Sequence, residues 1–132
     1  MKKILSILCL SIVVLTASSC QKDTIVSPNT NRTILTSITS NNWLTTDNGI
    51  TYFADIDMPE ITADFNDYGA VLVYISFTPG VWEQVPENYN GTSYTFTHNT
   101  GNVRIYAQAY DAAVSIPRPD AAQVKVVLVD SN

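Results

Sequence analysis

The chain has 132 residues, 45% of them hydrophobic and only 14% charged, with seven basic against twelve acidic residues for a net charge of −5. That length holds one domain and leaves no room for a second core. The hydrophobic share excludes a disordered chain, charged residues fall well below the usual ~25%, and the acidic balance makes nucleic acid a poor partner.

The first twenty residues begin with Lys2 and Lys3, run through an apolar stretch from Ile4 to Leu15 broken by two serines, and end in small residues before Cys20. This is the pattern of a secretory leader. The apolar stretch is twelve residues long, too short for a helix across a hydrocarbon core, which takes about 20. Cleavage is therefore favoured over the alternative, an N-terminal anchor helix. Ala17-Ser18-Ser19-Cys20 resembles the bacterial lipobox, which implies that residues 1–19 are a lipoprotein signal peptide and that Cys20 is lipidated and becomes the mature N-terminus. The 113 residues left carry five basic and twelve acidic side chains, a net charge of −7. Cys9 leaves with the leader, so no disulfide or thiol chemistry remains. Several acyl chains, each contributing about 0.8 kcal/mol per buried CH₂, would hold the protein to a membrane without crossing it. Gln21-Lys22-Asp23 resembles the surface-export signal of Bacteroidota lipoproteins, which implies an outer-membrane lipoprotein displayed on the cell surface. Retention on the periplasmic side is the alternative. Asp23-Thr24-Ile25 resembles the short O-glycosylation motif of the same bacteria.

Residues 20–32 are polar, contain Pro28 and show no sustained period, which predicts a flexible tether. Residues 33–132 carry short bursts of alternation separated by Gly, Pro, Asn and Asp. The expected fold is mainly β, an antiparallel β-sandwich of about six to eight strands with one short helix near 59–68.

In chain order, Ile34 to Ile38 and Ile50 to Ile56 are predicted strands, the second entered through Asp47-Asn48-Gly49, whose Asn-Gly pair suits the positive φ angles of a tight hairpin turn. From Pro59 to Tyr68 the period changes: Ile61, Phe65 and Tyr68 stand at i, i+4 and i+7, Pro59 suits a first helical turn and Gly69 the residue past the end. That predicts a helix with those three side chains against the sheet. Ala70 to Ile75 is an unbroken apolar run, predicted to be a strand buried on both faces. Val81 to Val85 makes a short strand before Pro86. Ser93 to Thr97 alternates with Tyr94 and Phe96 inward, and Asn99 to Asn102 joins it as a hairpin to Val103–Tyr110. There Val103, Ile105, Ala107 and Ala109 share one face and Arg104, Tyr106, Gln108 and Tyr110 the other. Gln123 to Val129 alternates again, with Val124, Val126 and Leu128 on one side.

The stretch ITADFNDYGAVLVYI (residues 61–75) followed by VWEQVPE (81–87) resembles small lipoproteins of unknown function common in Bacteroidota, in which a short acidic helix ending in Gly leads into a buried strand and then a Trp-containing strand ending in Pro. The resemblance covers roughly Trp43 to Val129. It implies a β-rich fold and a lipid anchor, and carries no activity with it.

Few residues offer chemistry. His98 is the single histidine, placed by the pattern in a solvent-exposed hairpin turn, and one His makes neither a multi-histidine zinc site nor, without a nucleophile elbow, a hydrolytic triad. Five glycines scattered singly build no phosphate loop, and no cofactor is expected. Asp55, Asp57, Glu60, Asp64 and Asp67 fall close together at the predicted strand-to-helix corner, a conceivable calcium or glycosidase group. Their spacing fits no EF-hand, and a solvated acidic edge that discourages strand pairing is the favoured reading. Trp43, Trp82, Tyr106 and Tyr110 are the aromatic candidates for stacking on a sugar or packing on a partner protein. The expected function is that of a lipid-anchored, non-enzymatic binding or structural module of the cell envelope. A carbohydrate-binding accessory lipoprotein comes second and a small hydrolase third. Two or more aromatics in a row across one sheet would favour the second, and a deep pocket with paired carboxylates the third.

Overall fold

Alternation of apolar and polar residues, interrupted at turn-forming positions, produces eight strands in the computed structural model, which describes residues 30–111 and 114–131. The expected leader, Cys20 and the tether up to residue 29 lie outside the described residues. The strands are β1 (Arg32–Ile38), β2 (Thr51–Met58), β3 (Ala70–Ser76), β4 (Glu83–Val85), β5 (Glu87–Tyr89), β6 (Thr92–Asn99), β7 (Gly101–Ala109) and β8 (Ala122–Val129). They form two antiparallel four-stranded sheets, ordered β1-β8-β3-β4 and β2-β7-β6-β5. Among the described residues no helix is long and apolar enough to cross a membrane.

The inner faces make a sandwich core. Val73 and Ile75 of β3 with Val124, Val126 and Leu128 of β8 line one side; Ala54 and Ile56 of β2 with Val103, Ile105 and Ala107 of β7 line the other, all buried. The alternation in β7 and β8 is therefore realised residue by residue. Asn48 and Gly49 take φ angles of 58° and 84°, the paired positive values of the predicted turn. Between Leu44 and Phe53 the turn closes only a single bridge.

The chain entering β1 is less tether-like than expected. The Thr30 hydroxyl donates to Asp130 (2.9 Å), and Asn31 accepts from the Asp130 backbone N–H (3.0 Å). These bonds tie residues 30–32 to the end of β8, and the strand begins at Arg32.

The predicted helix is shortened. Helix α1 spans Ala63–Tyr68, with the Thr62 hydroxyl accepting from the Phe65 N–H at 3.2 Å as its N-cap. That capping geometry holds Thr62 in an extended conformation and excludes Pro59 to Ile61 from the helix. Ile61 is fully buried, but from the preceding loop, where its carbonyl accepts from the Gly101 N–H. Phe65 is half-buried against the core, and Tyr68 is 72% exposed instead of packed on the sheet. Gly69 ends the helix for a steric reason: its φ is −83°, but a Cβ there would lie 2.6 Å from the Phe65 ring.

Three further expectations change. Strand β3 is central but covered on one side only: Val71, Val73 and Ile75 face inward, while Leu72 and Tyr74 are half-exposed on the outer face. The Val81–Val85 strand contracts to Glu83–Val85. His98 is in β6, not in a turn, and its Nδ1 lies 3.1 Å from the Asn66 side-chain oxygen, docking α1 on the sheet.

One partly buried carboxyl is placed where the fold favours its protonated form. Glu87 faces inward from β5 opposite Tyr94, and its Oε1 is buried with no hydrogen-bond partner among the described residues. Burial, then the neighbouring Glu83 carboxylate, raises its pKa above the ordinary 4.5. Burial also pushes the Tyr94 phenol up to about 12, helped by Asp120 and Glu87. A carboxyl whose folded pKa is raised binds its proton more tightly folded than unfolded, so its penalty appears as pH climbs through the ordinary value toward the raised one. Glu87→Gln should therefore match the wild-type chain in urea denaturation near pH 4 and exceed it in stability by pH 7, with the gap opening in that interval. An equal gap at both pH values would show that ionisation of Glu87 is not its cause.

Candidate functional site

The outer surfaces of the two sheets differ in chemistry. On β2-β7-β6-β5 the register aligns Asp55 with Arg104 and Phe53 with Tyr106 across β2 and β7. Arg104 holds Asp55 through two bonds of 2.7 Å and lies 4.4 Å over the Phe53 ring. The guanidinium keeps the Asp55 carboxyl below its ordinary pKa. Tyr106 is half-exposed beside this pair, within 3.4 Å of the Thr97 hydroxyl. This face is polar, and its one cation, Arg104, is paired with Asp55.

On β1-β8-β3-β4 the outward positions mix apolar side chains with uncharged polar ones and a single Lys. Leu35, Lys125, Tyr74 and Gln84 align across the four strands, and Thr33, Val127 and Leu72 align in the adjacent row. Leu35 is 68% exposed. Trp82, just before β4, completes the surface: the Lys125 ammonium lies 4.4 Å from the centroid of Tyr74 and 4.7 Å from that of Trp82. Between Leu35 and Ser37 on β1 and the Trp82 ring runs a depression of about 320 Å³, with Gln123 among its lining residues. Nothing in the strand alternation could place Trp82 and Tyr74 around Lys125, because β8 meets β3 only through non-local pairing.

The structure disperses the other sequence candidates. Trp43 is fully buried; its indole N–H donates to the Asp120 carbonyl at 3.3 Å and its ring meets Tyr94 edge-on at 6.2 Å. It is a core residue, closed to any ligand. Tyr110 is 68% exposed, beyond the end of β7 and away from the Trp82 surface, with its N–H bonded to the Gly91 carbonyl. Of the five acidic residues, Asp55 is engaged by Arg104 and Asp57 projects beside it opposite Asn102. Glu60 and Asp64 line a cleft of about 480 Å³ with Arg32, Phe65 and Tyr68, and Asp67 receives a 3.4 Å bond from Asn66. Among the described residues no three His, Cys, Asp or Glu side chains gather at metal-ligating separation.

The class defined by these observations is a two-sheet antiparallel β-sandwich with exposed aliphatic and aromatic side chains on one outer face. No protein-family model, curated protein or solved structure matches the chain.

Proposed function

We propose that the chain is a lipid-anchored, non-enzymatic binding module of the outer membrane and that its ligand face is the outer surface of β1-β8-β3-β4. The observation that carries this reading is the row Leu35, Lys125, Tyr74 with Trp82 alongside: a sheet surface with no third layer over it among the described residues presents apolar and aromatic groups to solvent, where a sandwich normally alternates to polar. The leader, the lipobox-like run ending at Cys20 and the resemblance to small Bacteroidota lipoproteins support the envelope location.

A carbohydrate-binding accessory role is the second reading, favoured by Tyr74 of β3 and Trp82, just before β4, both flanking Lys125. Aromatic rings held by a rigid strand pair supply flat apolar area at low conformational cost.

Leu35→Glu with Trp82→Ala tests the face. Both side chains project outward, so the melting temperature should move by only a few degrees. The detergent-solubilised full chain should lose retention on immobilised envelope polysaccharide, whereas Tyr106→Ala on the opposite sheet should keep it. Wild-type retention by the double variant would place the ligand face elsewhere.

A further inference from the structure

We infer that the groove over β8 takes an anionic sugar, a uronate within a glycan chain, with its carboxylate on the Lys125 ammonium and its ring against Trp82. The inference rests on the reading of this sheet surface as the ligand face and adds the charge of the ligand.

Charge comes first. From residue 33 onward the chain has three basic and eleven acidic residues; of the three cations, Arg118 meets no carboxylate within ion-pair distance among the described residues. Arg104 meets Asp55 at 2.7 Å. Lys125 meets none: among the described residues no carboxylate lies within ion-pair distance, and its neighbours are the uncharged rings of Tyr74 and Trp82. The outward positions of the four strands contain no Asp or Glu, because Glu83 faces inward with Val85. Among the described residues Lys125 is thus the single charge at the outward strand positions of this sheet, within an acidic protein. Two flanking rings hold the ammonium at a fixed place and partly shed its water, which strengthens its pull on an incoming anion.

Shape and backbone select the occupant. The depression is open and shallow, walled by Leu35 and Ser37 on one side and the indole on the other. Its bed is β8, paired to β1 on one side and β3 on the other, so it offers no free backbone ladder on which an extended peptide could add as a strand. A second copy of the chain would bring Lys125 toward its own counterpart. Three strands of seven or eight residues about 4.8 Å apart, with the three-residue β4 beside them, give a surface of roughly 400 Å², about half of the ~800 Å² per partner that a stable interface buries. A short run of sugar rings fits that area. Its apolar ring face can lie on Trp82, its hydroxyls can reach Ser37 and Gln123, and a carboxylate on the same ring meets Lys125.

The experiment uses the full chain in detergent micelles and two matched probes: an oligogalacturonate, and the same oligomer after its carboxyl groups are reduced to alcohols. The oligogalacturonate should bind at least tenfold tighter than its reduced form. Lys125→Gln should remove that difference, Trp82→Ala should abolish binding of both, and Asp55→Asn on the opposite sheet should change nothing. Equal binding of the two oligomers by the wild-type chain, lost in Trp82→Ala, would overturn the anion while leaving the ligand face standing. Undiminished binding by Trp82→Ala would overturn the face as well. Failure of both oligomers to bind the wild-type chain would overturn the assignment of a uronate.

Discussion

Trp43→Ala is expected to destabilise the domain by about 3–5 kcal/mol, the cost of emptying a fully packed aromatic site. The indole is fully buried, its N–H is bonded to the Asp120 carbonyl and its edge packs on Tyr94. It therefore joins the β1–β2 connection, the segment before β8 and the inner face of β6. Total stability for a domain of this size is about 5–15 kcal/mol, and 1 kcal/mol corresponds to about 4–8 °C near 100 residues. The melting temperature should fall by more than 10 °C, read by thermal unfolding monitored by circular dichroism. Trp82→Ala is the control. Its ring stands on the outer surface against Lys125, so little cavity forms on truncation and the loss should be a small fraction of that at Trp43. Similar losses at the two tryptophans would contradict the assignment of one to the core and the other to the ligand face.

The second large effect concerns attachment. If Cys20 carries the lipid, Cys20→Ala should move the protein from the membrane pellet to an unlabelled form when cells are fed a palmitate analogue. Each buried methylene contributes about 0.8 kcal/mol, so one long chain binds marginally and several bind in effect irreversibly. The wild-type chain should stay in the pellet through high-salt washing, which removes proteins held by charge alone. Equal labelling of Cys20→Ala would remove the lipid anchor from the proposal while leaving the sandwich and its outer face untouched.

Several elements were legible because their causes are local. The faces of β7 and β8 follow from a period of two, and the positive φ angles at Asn48 and Gly49 follow from residue types that tolerate them. Helix α1 was legible in place but not in extent. The i, i+4, i+7 pattern drew Ile61 and Tyr68 into one stripe, whereas the Thr62 cap puts Ile61 in a loop and Tyr68 in solvent. A periodic pattern does not distinguish a residue buried from a helix from one buried by the loop just before it.

The candidate site was legible only in its parts. Trp82, Tyr106 and Tyr110 were visible as aromatics outside the obvious core pattern, but so was Trp43, whose burial depends on Asp120 and Tyr94, far away in the chain. In the sequence Lys125 is one charge in an alternating strand, with nothing local to mark it.

By itself the sequence determined the antiparallel β character and the inward sets of the long alternating strands, since each depends on residues within a few positions of one another. Tertiary structure alone decided the sheet order that places β8 between β1 and β3, and with it the meeting of Lys125 with Tyr74 and Trp82. It also decided that the apolar run of β3 has one open face, because a run without alternation is silent about which side meets water. That side depends on whether another layer covers the sheet, and here Leu72 and Tyr74 remain half-exposed on the outer face.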